Sequence, residues 1–310
     1  MSTVFLGTTD FAAAILDRLA ERSQHRPALV ITRPDRPQGR GRRLASPPVA
    51  DRARALGIEL AQPENVNDET TAARVAAAEP DAVVVCAFGA LIKEPLLSAQ
   101  TLLNVHPSLL PRWRGAAPVE RAIMAGDGRT GVSIMRLTAG LDSGPVCLVG
   151  DEPIGSRDSY GSLAQRLQAL GGELLLRVLD ETAAGDPPEF VEQDESGVTY
   201  AEKIGPADRL LDPARPASEL ELVVRALHPH IGARVELADG SLLGVQEAAL
   251  AELDDDQRHD GQLGVVAGDD GRLLLICAQG ALELLSVQPP GKRPMDAGAY
   301  LRGHGPPGRR

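Results

Sequence analysis

Aromatic residues are scarce in this chain of 310 residues: one Trp, three Tyr and four Phe. Schemes that read bare nucleic acid by stacking bases on aromatic rings therefore have little to work with. Lysine is scarcer still, with Lys93, Lys203 and Lys292 the only three among 32 basic residues, while Ala, Gly and Pro abound. That imbalance reads as a compositional bias of the genome rather than a mark of function. A surplus of positive charge is also missing. The net charge of −11 argues against indiscriminate binding to phosphate backbones, although it leaves room for a local basic site.

Cysteine is sparse and badly spaced for chemistry. Cys86, Cys147 and Cys277 are odd in number, far apart and set in apolar runs, with no partner at zinc-ligand or redox-motif spacing. They read as buried hydrophobes in a reducing cytoplasm. No apolar stretch approaches the roughly 18 residues a membrane span needs. The N-terminus enters Thr3-Val4-Phe5-Leu6-Gly7 with no basic region before it, so it reads as a first strand and not as a signal peptide. These absences predict a cytoplasmic protein with no membrane partner.

What remains is an ordinary globular composition, 43% hydrophobic and 24% charged, in a chain long enough for two domains. In the first half, short apolar runs alternate with helical patterns. Strands are predicted over Val4 to Leu6, Ala28 to Thr32, Ala82 to Ala87 and Leu102 to Val105. Helices are predicted near 11–22, 49–56 and 68–78. This interleaving implies an α/β layered sheet, and the β-branched run at Ala82 to Ala87 reads as a buried parallel strand. Between the second strand and its helix, Arg33 to Pro48 carries Pro34, Pro37, Pro47, Pro48, two Gly and many Arg, and is read as a long loop. Alternating patterns at Val132 to Leu137 and Val146 to Val149 look like paired edge strands, followed by a long helix over 159–183. A polar stretch from Gly185 to about Gly205 is read as a linker. Beyond it come a helix near 217–227 and about five short strands, with turns at Asp239-Gly240 and Asp270-Gly271, which suggest a small OB-like β-barrel. Gly303 to Arg310 is expected to be a frayed tail.

Gly7-Thr8-Thr9-Asp10 sits where a dinucleotide fingerprint would stand, but it has one of three glycines and an acid that repels phosphate, so a nicotinamide cofactor is excluded. Asn104-Val105-His106-Pro107 says more. It leaves a buried strand at its C-terminal end, where open α/β sheets place their ligands. Two residues apart on an extended strand, Asn104 and His106 share one face. The Asn donates to a developing oxyanion, and the His moves a proton near neutrality. Asp142, in the glycine-bounded turn Leu141-Asp142-Ser143-Gly144, would orient that imidazole and favour its cation if the fold brings them together. Lastly, Arg33, Arg36, Arg40, Arg42 and Arg43 against Asp35 give the loop a local charge of +4, which points to a phosphate-bearing partner.

These residues carry a resemblance. Ser108-Leu109-Leu110-Pro111-Arg112-Trp113-Arg114-Gly115-Ala116-Ala117-Pro118 closely resembles a signature of the methionyl-tRNA formyltransferases. Asn104, His106 and Asp142 resemble the catalytic trio of folate-dependent formyltransferases in general. Phe5 to Phe11, Pro34 to Gly41 and Thr199 to Ile204 extend the likeness over most of residues 1–204 and, more weakly, the C-terminal domain. The resemblance implies a Rossmann-like formyltransferase domain over 1–188, a linker over 189–204, and an OB-like tRNA-binding domain over 205–310. It implies formyl transfer from 10-formyltetrahydrofolate, without a metal, to the α-amine of initiator methionyl-tRNA by a monomeric enzyme. Asn104, His106 and Asp142 would be catalytic. Ser108, Leu109, Leu110 and Pro111 would bind folate, with Phe88, Gly89 and Leu91 beside the pterin, and Arg40, Arg42 and Arg43 would contact tRNA. A related formyltransferase acting on a nucleotide sugar or glycinamide ribonucleotide keeps the chemistry and changes the acceptor. A pure folate or RNA binder would not need the proton-transfer pair, and a hydrolase would leave the Arg loop without a purpose. Residues 205–310 carry a net charge of −5, so a tRNA surface there would have to be segregated from Asp254-Asp255-Asp256. His228 and His230 are assigned no function, and neither has the carboxylate or Cys company of a metal site.

Overall fold

The computed structural model describes residues 1–38, 43–253, 263–268 and 271–305. Arg40, Arg42, the acidic run 254–256, Asp270 and residues 306–310 lie outside them. The chain divides into two units.

The first unit takes in Met1–Pro118, Arg129–Pro153 and Ala164–Glu202. Its strands are β1 (Thr3–Gly7), β2 (Pro27–Ile31), β3 (Arg36–Gln38), β4 (Arg43–Ala45), β5 (Glu59–Ala61), β6 (Ala82–Cys86), β7 (Leu102–His106), β8 (Arg114–Gly115), β9 (Arg129–Arg136), β10 (Val146–Pro153) and β11 (Tyr200–Ala201). Its helices are α1 (Asp10–Ala20), α2 (Pro48–Leu56), α3 (Glu69–Ala77) and α4 (Leu96–Ala99). Helices α5 (Pro118–Met124) and α6 (Tyr160–Ala183) begin or end in the other unit. Seven strands form one sheet in the order β10-β9-β7-β6-β1-β2-β5. The five from β7 to β5 run parallel, while β9 and β10 close the edge antiparallel.

Parallel central strands are covered on both faces, which is why β1, β6 and β7 are buried at every position. Val4, Leu6, Val83, Val85 and Leu102 join one apolar cluster with Leu29, Ile31, Val75, Phe88 and Leu96. The alternate set faces α6: a Cβ built on Gly171 would stand 3.0 Å from a methyl of Val105, so the absence of a side chain there lets helix and strand approach closely. Leu102, Asn104 and His106 share the other face of β7 by the two-residue period of a strand.

Two segments differ from their reading as irregular chain. Arg33 to Pro48 contains an antiparallel pair, with Arg36 opposite Ala45 and Gln38 opposite Arg43. Pro37, one of the residues that mark a loop, here stands inside one of the two short paired strands. Residues 191–201, polar enough to read as a tether, fold onto the first unit: Val191 bridges Val146, and β11 pairs parallel with β8.

The second unit takes in Lys203–Arg310 together with Val119–Gly128 and Ile154–Leu163. Helix α7 (Ala217–Leu227) packs with β12 (Ala233–Glu236), β13 (Leu242–Ala251), β14 (Gly264–Ala267), β15 (Leu273–Ile276), β16 (Ala281–Gln288), β17 (Met295–Asp296) and α8 (Ala297–His304). The antiparallel order is β12-β13-β16-β15-β14, with β17 on β16, and irregular pairing around Glu247 bends β13. Leu220, Val223, Val224, Leu227, Val235, Val245, Leu275 and Leu284 form its core. The spacing of short strands suggests a small OB-like barrel, and the strands form an antiparallel sheet of the half-barrel kind. The region expected to fray begins inside α8, whose first turn is capped by Asp296 accepting from the Ala299 N–H.

Inside this unit the mid-chain segments are tied by specific contacts. Arg121 makes a paired contact to Asp208 at 2.8 and 3.1 Å, and Arg225 donates to the Asp158 carbonyl at 2.7 Å. His230 lies 2.9 Å from a Glu120 carboxylate oxygen while its ring stacks on Tyr160 at 3.6 Å. Both are structural contacts.

Candidate active site

Asn104 and His106 stand at the carboxyl end of β7, the last of the parallel strands before the antiparallel edge. Both are buried, at 8% and 4% exposure. The turn between β9 and β10 brings Asp142 to them. Its Oδ1 lies 3.4 Å from Asn104 Nδ2, and its Oδ2 lies 3.7 Å from His106 Nδ1. Three residues that the sequence places on two separate motifs thus meet in one cluster.

The cluster is held from several sides. The Gly115 N–H donates to Asp142 Oδ2 at 2.8 Å. His106 Nε2 lies 2.9 Å from the Trp113 carbonyl oxygen, which can only accept, so the network assigns the proton to Nε2 and leaves Nδ1 facing the carboxylate. An imidazole fixed at one nitrogen, with a carboxylate at the other and an amide alongside, is equipped to bind a carbonyl oxygen and to relay a proton.

The local backbone is strained where it presents these groups. Asp142 (φ 45°), Trp113 (φ 64°) and Ala87 (φ 42°) occupy the left-handed region without being glycine, at roughly 1–3 kcal/mol each. Ala87 follows β6, the strand beside β7. Two glycines allow close approaches around Asp142. A Cβ on Gly144 would overlap the Arg136 carbonyl oxygen, and one on Gly115, at φ 127°, would stand 2.6 Å from the Ala201 carbonyl oxygen.

The expected folate segment follows β7 directly. Ser108 is fully buried and its hydroxyl donates to the Arg112 carbonyl at 2.7 Å. Leu109, Leu110 and Pro111 are half-buried. Ser133, also buried, braces this loop: its hydroxyl donates to the Ser108 carbonyl at 2.8 Å and accepts from the Leu110 N–H at 3.1 Å. On the neighbouring loop Gly89 is exposed and Leu91 is 64% exposed, whereas the ring of Phe88 belongs to the apolar cluster under the sheet. Phe88 therefore anchors that loop by its ring, and its carbonyl accepts from the Thr8 hydroxyl at 2.7 Å. Of the three arginines expected at tRNA, Arg43 opens β4 and is exposed.

Sequence reasoning gave no role to Ser133, Gln193 or Thr199, although Thr199 opens one of the segments that carry the resemblance. Thr199 Oγ1 accepts from the Trp113 N–H at 2.9 Å, and Gln193 reaches the Asp142 turn. Their signal is weak because single polar residues in edge strands and polar stretches look like solvated surface.

A parallel-rich sheet carrying an Asn-His-Asp cluster at its carboxyl edge, followed by an antiparallel unit, defines a class of group-transfer proteins. The Formyl transferase family matches residues 1–179, and the Formyl transferase C-terminal domain matches 203–305; the chain belongs to this family. Among its curated relatives, methionyl-tRNA formyltransferase of Methylococcus capsulatus is 41% identical over 100% of this chain and 99% of its own. That of Halorhodospira halophila is 42% identical over 97% and 95%. Among solved structures, HypX from Aquifex aeolicus, one form of it in complex with tetrahydrofolic acid, matches in fold at a TM-score of 0.64 and 17% identity. That match covers 96% of this chain and 46% of HypX, so this chain spans about half of that protein. An N-formyltransferase from Helicobacter canadensis, in complex with folinic acid and dTDP-3-aminofucose, matches at 0.64 and 13% identity, covering 91% and 98%.

Proposed function

We propose that this chain transfers the formyl group of 10-formyltetrahydrofolate to the α-amino group of initiator methionyl-tRNA, giving formylmethionyl-tRNA and tetrahydrofolate. The observation that carries the reading is the meeting of Asn104, His106 and Asp142 at the sheet's carboxyl edge. It stands in a chain that aligns along its whole length with relatives bearing that activity.

The amine nitrogen attacks the formyl carbon and the carbonyl oxygen gains negative charge. Asn104 Nδ2 donates to that oxygen. The attacking nitrogen gives up its proton to the His106–Asp142 pair. As the tetrahedral centre collapses, the bond from carbon to the folate nitrogen breaks and that nitrogen takes a proton back from the pair. No covalent enzyme intermediate is needed, because the amine is itself the nucleophile. Ser108, Leu109, Leu110, Pro111, Gly89 and Leu91 form the folate side, where the exposed Leu91 offers an apolar surface to a flat ring and Phe88 supports the loop from below.

Arg40, Arg42 and Arg43 contact the phosphates of the acceptor arm. The C-terminal domain, 205–310, holds the tRNA, and residues 1–188 carry catalysis; the family matches over 1–179 and 203–305 support this division of labour. The protein works as a monomer in the cytoplasm, and among the described residues no helix is long and apolar enough to cross a membrane.

The test is formylation of charged initiator tRNA by the pure protein with 10-formyltetrahydrofolate at low and moderate salt. Product formation should fall with salt, as expected when several phosphate contacts replace counterions. It should fall again in an Arg40→Ala/Arg42→Ala double variant. Release of folate with a small amine acceptor, and none on tRNA, would favour a nucleotide-sugar or glycinamide ribonucleotide acceptor instead.

A further inference from the structure

We infer that Gln193 is a positioning residue for Asp142, holding the turn that aims its carboxylate; the inference rests on the catalytic reading of Asp142 above. One side-chain amide spans the turn. Gln193 Nε2 donates to the Asp142 carbonyl at 2.8 Å and to the Gly144 carbonyl at 2.7 Å. Its Oε1 accepts from Arg114 Nε at 3.0 Å. The orientation of the amide is determined by its neighbours: a guanidinium only donates, so the oxygen must face Arg114 and the two N–H groups must face the two carbonyls. Arg114 is itself buried, at 3% exposure, with its guanidinium on Glu195 at 2.9 Å.

The chain then closes a ring. Arg114 precedes Gly115, whose N–H holds the Asp142 carboxylate. Asp142 is thus gripped at both ends, its carboxylate by Gly115 and its carbonyl by Gln193, and both grips pass through the Arg114–Gly115 strand. A residue at φ 45° persists only where its surroundings over-determine it. Without the amide, the turn is free to relax toward ordinary backbone and swing the carboxylate away from His106 and Asn104. Gln193 reaches the Asp142 backbone and acts through it.

The test uses the full chain with Gln193→Met, which keeps length and removes both hydrogen-bonding functions. Gln193→Glu is its companion, keeping an oxygen toward Arg114 while setting a carboxylate against two carbonyls. Both variants should fold, by circular dichroism, and keep KM for folate and tRNA within about threefold. In Gln193→Met, kcat should fall at least about tenfold, further in Gln193→Glu, and amide exchange in residues 138–145 should rise. Gln193→Met combined with Asp142→Ala should be no slower than Asp142→Ala alone, since both act through one group. Unchanged exchange in that turn, or a wild-type kcat for Gln193→Met beside an inactive Asp142→Ala, would overturn the inference. Near-normal turnover of Asp142→Ala, with exchange at the turn still raised by Gln193→Met, would instead overturn the catalytic reading on which it stands.

Discussion

Asn104 is the clearest single-residue test of the chemistry. Its amide cannot ionise, and its nearest polar partner is Asp142 at 3.4 Å, a long contact that a reacting carbonyl oxygen would displace. Asn104→Ala should leave the fold intact and lower kcat by about 10²–10³, the usual cost of losing one oxyanion donor; steady-state kinetics with a thermal melt checks both halves. The cysteines are expected to be inert. Burial pushes the Cys86 thiol far above its ordinary range, and Cys147 and Cys277 up to about 11. A thiol reagent at pH 8 should therefore label the native protein slowly at all three positions and promptly in denaturant. Fast native labelling of Cys86 would mean that the sheet opens on the experimental timescale.

Element by element, the contacts that hold α6 to the start of the sheet include a buried imidazole. His25 is fully buried with its Nε2 2.7 Å from Asp180 Oδ1 on α6, and its backbone carbonyl accepts from Thr3 on β1. The hydrogen bond from His25 holds the Asp180 carboxyl below its ordinary value, against a smaller opposing effect of burial and with help from Gln24. A depressed carboxyl stabilises the fold above its unfolded value of about 3.9, and the stabilisation is lost as pH falls through the folded one. The Tm difference between wild type and Asp180→Ala should therefore be full at neutral pH and shrink below about pH 4. A constant difference down to pH 2 would contradict it. This pair was not legible in the sequence, whereas the strands around it were. β1, β2, β6 and β7 announce themselves because a strand covered on both faces must be apolar at nearly every position. The Asn104–His106 pair was legible for the same reason, as polar residues ending such a run. β5 and α4 were missed, being too short to show a period. The pair of β3 and β4 hid behind Pro37 and its arginines. The 191–201 stretch hid because its contacts are made by Gln193, Glu195 and Thr199, and composition cannot tell a satisfied polar side chain from a solvated one.

For the whole molecule, the division into units does not follow the order of the chain. Glu120, Arg121, Asp158 and Tyr160 all precede Lys203, where the continuous C-terminal part of the second unit begins, yet they supply partners to His230, Asp208 and Arg225 within that unit. A fragment of residues 203–310 would keep its apolar core but lose those partners, including the paired contact of Arg121 to Asp208. Each hydrogen bond removed from a partly buried charge costs on the order of 1–3 kcal/mol. The fragment should accordingly melt well below the intact chain by calorimetry, and in a chain where Arg121→Ala alone is introduced the second unit should lose part of the same stability. A fragment as stable as the unit in the whole protein would show that these contacts are incidental. The same interleaving bears on heredity. A recombination event that exchanged only the last third of the gene would join a foreign Asp208, Arg225 and His230 to resident Arg121, Asp158 and Glu120, so the two ends of each contact would come from different ancestors. Exchange of this module between lineages is workable only where both ends match or travel together, which ties the inheritance of the C-terminal sequence to two short stretches in the middle of the gene.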